Sequence, residues 1–272
     1  TYMNIPNRPM SGFEKFNIKT ASPSSINEFV SYRSKFVLRK IFNYNFASNP
    51  SMERGNVSEL GTQMILEQYV TEEEAINLAL QKFDEKCTPD MKDYDSERAT
   101  IPYLIRGAVH EIKNHIGDLY SYQAKIEGVL HEYKYMGYTD FVLENKSTGE
   151  KVIVDLKTTK RTPSGLSNAH ARQISLYSHA LECDAKLLYL IPHKKTDKKT
   201  KEVTYTTEGI WWELEDKQKH LDACHEILKA MDMLLYNCND KHEVAKMCYP
   251  DVSDWYWNSP EIIKARREVW GV

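Results

Sequence analysis

No apolar run in the 272 residues approaches the roughly 18 needed to cross a bilayer as a helix, so no membrane span and no membrane partner is expected. Cysteine is sparse: Cys87, Cys183, Cys224, Cys238 and Cys248 are odd in number, far apart, and form no Cys-x-x-Cys pair. That argues against a disulfide frame or a zinc site and for reduced thiols in a cytoplasmic protein. Charge of one sign is lacking too. The net charge is -3, so the chain is no general polyanion binder, and any contact with nucleic acid needs a local basic patch. Internal repeats, low-complexity stretches and a basic-then-apolar leader are all missing. Thr1 in place of an initiator Met leads one to expect a trimmed start.

What is present reads as a helical first part (1–120), a strand-rich middle (121–214) and a helical last part (215–272) in one domain. Ser22 followed by Pro23 is a good helix start, and Ile26, Phe29, Val30, Phe36, Val37 and Phe42 predict an apolar stripe to about residue 42. Residues 43–53 read as a polar loop, and a helix carrying Glu59 is expected over 56–70. Thr71 and Glu74 have capping-box spacing at the start of the next helix. Residues 87–98 read as a charged loop, and a further helix is expected from Ile101, with Pro102 at its start, to about Tyr120. A first strand is expected near Lys125–Leu130, a helix over 168–181, and a buried strand over 185–192. The basic stretch 193–201 reads as a loop tip, followed by a returning strand over 203–214 and a long helix over 215–236. The Trp- and Tyr-rich tail is expected to pack on the core.

The middle part is organised around Gly137 to Lys157. Phe141-Val142-Leu143 and Val152-Ile153-Val154 flank a polar turn containing Gly149, which predicts a β-hairpin. Symmetric pairing places Asp140 opposite Asp155, and period-2 alternation puts Lys157 on the same face as Asp155. Opposed carboxylates roughly 5 Å apart repel unless something positive lies between them. A divalent cation meets that need, because hard cations favour carboxylate oxygens and retain waters. Such an ion can stabilise charge on a phosphate and acidify a bound water. A salt-bridged polar hairpin end meets the need as well.

Five motifs in order resemble the PD-(D/E)xK nucleases, in particular the RecB-like branch that includes phage exonucleases of the lambda type. They are Ser22-Pro23-Ser24-Ser25-Ile26-Asn27 with Phe36 and Leu38; Arg54-Gly55 with Glu59; Gly137-Tyr138-Thr139-Asp140; Asp155-Leu156-Lys157-Thr158; and Gln173-Ile174-Ser175-Leu176-Tyr177. The resemblance implies an α/β fold: a restriction-endonuclease-like core, with a mixed β-sheet flanked by helices, and helical additions at both ends. It implies Asp140 and Asp155 as metal ligands, the Leu156 carbonyl as a third oxygen, and Glu59 as a further ligand, direct or through water. Many RecB-like members carry His where Glu59 stands; lambda-type enzymes use Glu. Lys157 would orient the attacking water. Gln173 and Tyr177 would contact the DNA backbone or buttress the metal site. Lys160, Arg161 and the 193–201 stretch would grip phosphates, each with a solvated surface charge as the alternative, and Glu127 is a peripheral candidate. Some relatives hold an iron–sulfur cluster; Ser31-Tyr32-Arg33 and the wide spacing of Cys224, Cys238 and Cys248 predict none here.

The implied function is a Mg²⁺- or Mn²⁺-dependent DNA exonuclease using a metal-activated water, acting in recombination, repair or phage DNA processing. The implied substrates are linear ends, single- or double-stranded, and a single-strand annealing protein is a conceivable partner. The setting is cytoplasmic, the host's if the chain is phage-encoded. The alternatives are a sequence- or structure-specific endonuclease and a non-catalytic nucleic-acid-binding module on the same fold.

Overall fold

The structure, a computed structural model, describes residues 10–115 and 117–272. In chain order the helices are α1 (Gly12–Lys15), α2 (Pro23–Ser31), α3 (Arg33–Phe36), α4 (Pro50–Leu66), α5 (Glu72–Lys86), α6 (Tyr94–His115), α7 (Asn168–Leu181), α8 (Lys217–Tyr236), α9 (Lys241–Met247) and α10 (Pro260–Trp270). The strands are β1 (Asp118–Tyr122), β2 (Lys125–Leu130), β3 (Tyr133–Tyr138), β4 (Phe141–Glu144), β5 (Lys151–Thr158), β6 (Asp184–Thr196) and β7 (Val203–Glu213). None of the helices among the described residues is long and apolar enough to cross a membrane. The elements gather into two compact units, each discontinuous in sequence.

The larger unit spans Ala47–Ile126 and Tyr138–Lys217. Its five-stranded sheet has the order β1-β4-β5-β6-β7. β4 and β5 are antiparallel, β5 and β6 are parallel, and β6 and β7 are antiparallel. The parallel pair is joined through α7, which Ser167 caps by accepting from the His170 amide. This is the mixed sheet flanked by helices that the motifs imply. One core lies between α6 and the sheet, with Leu104, Ala108 and Ile112 against Phe141, Leu143, Val154, Leu156, Leu188 and Leu190. A second joins α4, α5 and α6 through Val57, Ile65, Ala79, Phe83, Ile101 and Ile105. Gly61 permits close packing at that crossing, because a Cβ there would lie 2.4 Å from Ile105 Cδ1 and force that side chain to shift.

Several boundaries differ from the sequence reading. α4 begins at Pro50, inside the expected loop, because Asn49 caps it by accepting from the Met52 amide. α6 begins at Tyr94, so Pro102 lies inside the helix rather than at its start. The extra first turn is held by tertiary contacts of the buried Glu97, which local propensity does not encode. α6 ends at His115, and Asp118–Tyr122 form β1 in place of the expected last helical turn.

The other unit spans Thr1–Phe46, Glu127–Gly137 and Gln218–Val272. Ser22 and Ser25 form a reciprocal cap at the start of α2. The single helix expected over 22–42 breaks at Tyr32, whose φ of -149° and ψ of 86° are not helical. A π-helical stretch, Val37–Ile41, follows α3. Ala21 adds a parallel bridge to Tyr135 of β3, a strand that the sequence reading left out. Leu38, Trp257, Ile262 and Ala265 form an apolar cluster, packed by Trp270, whose indole donates to the Ala245 carbonyl. Trp255, by contrast, is 78% exposed.

Candidate active site

The pairing of β4 with β5 sets Phe141 against Val154 and Glu144 against Lys151. One step further, this register brings Asp140 opposite Asp155, as the symmetric hairpin predicts. Asp155 is completely buried, on a strand with apolar neighbours on both sides. Asp140 follows β3 directly, and the main-chain amide of Leu156 donates to its Oδ2 at 2.8 Å. Lys157 Nζ lies 2.7 Å from Asp155 Oδ2 and 3.7 Å from Asp140 Oδ2. The two acids and the lysine therefore do converge.

Helix α7 adds Gln173. Its Nε2 donates to Asp155 Oδ1 at 2.9 Å and to the Tyr177 hydroxyl at 3.0 Å. The i, i+4 spacing puts both side chains on one helix face, and that face meets Asp155. Tyr177 is buried. His170, on the same helix, bonds the Tyr189 hydroxyl, and Tyr189 is the β6 partner of Lys157. Burial, reinforced by Lys157, lowers the His170 pKa to about 4.

Glu59 enters from α4. Gln123 Nε2 donates to its Oε1 at 3.2 Å, and Tyr122 also hydrogen-bonds it. Gln123 is placed by its own amide, which donates to the Asp140 carbonyl. Burial first, then the charge of Asp140, pushes the Glu59 carboxyl up to about 7. Asp140 is likewise raised, by burial and then by Asp155, and burial raises Asp155. Burial alone would lower Lys157, but Asp155 and Asp140 outweigh it and hold the ammonium above its ordinary range. The site is thus a cluster of three acids with one cation already among them.

The donor set fits a hard divalent cation. Asp140 and Asp155 supply carboxylate oxygens, and burial raises both acids, with Asp155 adding to it for Asp140 and Glu59 for Asp155; a bound cation relieves that condition. Among the described residues, no three His, Cys, Asp or Glu side chains are grouped to hold an ion by themselves. Magnesium does not require such a cage, since it is commonly held by one or two carboxylates with waters and substrate phosphate completing its shell.

Sequence reasoning missed a second polar cluster beside this one. Arg54 and Glu97 are both buried and ion-paired. Arg54 Nη2 donates at 3.1 Å to both the carbonyl and the hydroxyl of Thr158, the residue after Lys157. Glu97 also takes Lys160, with Nζ 2.6 Å from Oε1. Lys160 is therefore already paired, whereas Arg161 is exposed on the following loop. The signal for Arg54 was its place in the motif with Glu59; Glu97 carried none, in a stretch that reads as loop. Glu127 sits on β2 in the other unit.

The family model described as the PD-(D/E)XK nuclease superfamily matches residues 20–248. Among solved structures, a presumed exonuclease from Eubacterium rectale is similar over 85% of this chain and 87% of its own, with TM-score 0.50 and 14% identity. The structure of SSO0001 covers 82% of this chain and 92% of its own at 14% identity, with a TM-score of only 0.32. No curated protein matches the chain in sequence.

Proposed function

Because the chain belongs to the PD-(D/E)XK nuclease superfamily, whose members act on nucleic acid and generally use divalent metals, we propose that it is a Mg²⁺- or Mn²⁺-dependent DNA exonuclease. The observation that carries this reading is the convergence of Asp140, Asp155, Lys157 and Gln173 where β5 reaches the end of the hairpin.

In this reading Asp140 and Asp155 would hold the metal, with the Leu156 carbonyl as a further oxygen and Glu59 directly or through water. A bound divalent ion supplies Lewis acidity toward the phosphate and lowers the pKa of water. Asp140 is oriented by the Leu156 amide, so its free oxygen is fixed by the backbone and not by a mobile side chain. Gln173 fixes the Asp155 carboxylate through Oδ1. Lys157, held charged by the two acids, positions the attacking water and offsets negative charge developing on the phosphate. Tyr177 buttresses Gln173. Arg161 contacts a flanking phosphate, and Lys160 does so only by leaving Glu97. Phosphate contacts carry no sequence information, so cleavage is weakly sequence-dependent.

The description of the Eubacterium rectale protein as a presumed exonuclease favours action at ends over internal cutting. The biological setting we propose is recombination, repair or phage DNA processing in the cytoplasm, where a single-strand annealing protein is a suitable partner. The test is digestion of linear and covalently closed circular DNA of one sequence, with each strand end labelled separately. Loss of label from linear DNA with intact circles supports the exonuclease; discrete fragments from circles contradict it.

A further inference from the structure

The ladder between β5 and β6 ends at Thr158 and Leu190, whereas the ladder between β6 and β7 continues to Thr196 and Val203. Beyond Leu190 these two strands therefore form a two-stranded ribbon with no third strand beside it among the described residues. β6 runs parallel to β5, so the ribbon leaves the sheet at the end where β5 delivers Lys157 and Thr158. It starts next to the site: the Thr159 amide donates to the Leu190 carbonyl.

The ribbon is built to hold its shape. At its base, the Thr207 hydroxyl donates to the Tyr103 carbonyl, and Tyr205 packs on the Tyr103 ring at 5.5 Å. Gly107 of α6 lets β7 approach, since a Cβ there would lie 2.5 Å from Thr207 Cγ2. At the tip, Asp197 accepts from the amides of Lys199 and Thr200 at 2.7 and 2.8 Å. Lys201, with φ of 60°, closes the turn by donating to the Asp197 carbonyl.

This tip carries Lys194, Lys195, Lys198, Lys199 and Lys201 against Asp197 and Glu202, a local excess of positive charge in a chain whose net charge is -3. All five lysines are exposed, and none has an ion-pair partner among the described residues. The seven residues from Ile191 to Asp197 extend ~23 Å at about 3.3 Å each. At about 3.4 Å per base pair, that reaches some seven base pairs from the start of the ribbon.

We propose that the β6–β7 ribbon is a duplex-gripping arm, which makes double-stranded DNA the preferred substrate class and lays the duplex beside the site. This rests on the nuclease reading above and adds which form of the polymer is held. Alternation puts Lys194 and Lys195 on opposite faces of the ribbon, and a two-stranded ribbon has the dimensions of the major groove, where a stiff duplex presents phosphates on either side. Single-strand platforms rely on aromatic side chains for stacking, and residues 193–202 contain no Phe, Tyr or Trp.

The test is binding of the whole protein in EDTA to hairpin stems of six and twenty base pairs and to an unstructured single strand. The parent is compared with a variant carrying Lys→Gln at 194, 195, 198, 199 and 201. The expected result is a loss of at least tenfold on the twenty-base-pair stem, a much smaller loss on the six-base-pair stem, and no change on the single strand. The slope of log K against log salt should fall by about three to four on the long stem. No loss on the long stem overturns the proposal. So does an equal loss on all three ligands, which signifies only a change of net charge. Because no turnover is read, an arm-dependent affinity in a protein that cleaves nothing would refute the nuclease reading and leave the arm standing.

Discussion

The Leu156 amide donates to Asp140 Oδ2 across 2.8 Å, so one acid of the site is held by the backbone of the strand that carries the other. The bond needs an oxygen acceptor, not a charge. Asp140→Asn is expected to keep the hydrogen bond and the fold while losing nuclease activity by about a hundredfold or more, equivalent to ~3 kcal/mol of barrier. Circular dichroism and initial rates on labelled DNA check both halves.

Gln173 ties Asp155 to Tyr177 through one amide nitrogen. Gln173→Ala is expected to reduce activity about tenfold, and Tyr177→Phe less. The double variant should fall well short of the product of the two losses, because both act through the same contact. Full multiplicativity in single-turnover rates would contradict the shared role.

The Glu59 carboxyl has a folded pKa of about 7 against 4.5 for an ordinary glutamate. Between those values the folded state binds more protons than the unfolded chain. The contribution of Glu59 to stability is therefore fully present below about pH 4.5 and is lost as pH rises through about 7. In EDTA, Glu59→Gln should match the parent near pH 4 and exceed it above pH 7, by on the order of 1–2 kcal/mol. Urea unfolding at the two pH values measures this, and a gain in the opposite direction would mean that the carboxylate is stabilised by its surroundings.

Arg54 and Glu97 form a buried pair. Removing Arg54 leaves the buried Glu97 with Lys160 alone and strips Thr158 of its donor, so Arg54→Met is expected to cost about 1–3 kcal/mol. Combining it with Glu97→Leu should recover much of that loss, with Lys160 freed to solvent. Midpoints of denaturant unfolding decide this.

How much of this was legible depended on whether the signal was local. The register that opposes Asp140 to Asp155 follows from two short apolar runs and turn symmetry within one hairpin, and the β4–β5 pairing has it. The Gln173–Tyr177 face follows from helical spacing alone. What the sequence did not show were contacts between distant segments. Glu97 is buried in α6, where it meets Arg54 and Lys160 from distant segments. β1 pairs with β4 across some twenty intervening residues, and no local pattern announced it. The end of β6, His193 to Thr196, read as part of a loop tip because its polar residues lack an apolar face; pairing with β7 and the Asp197 turn give it a strand's shape.

The central claim is that Asp155 and Lys157 cleave phosphodiester bonds with a divalent ion. The most direct measurement is single-turnover cleavage of labelled linear duplex DNA in Mn²⁺ and in EDTA, by the parent, Asp155→Asn and Lys157→Ala. The account predicts cleavage by the parent in Mn²⁺ alone, with both variants slower by at least a hundredfold. Cleavage by all three at one rate, or by the parent in EDTA, would contradict it.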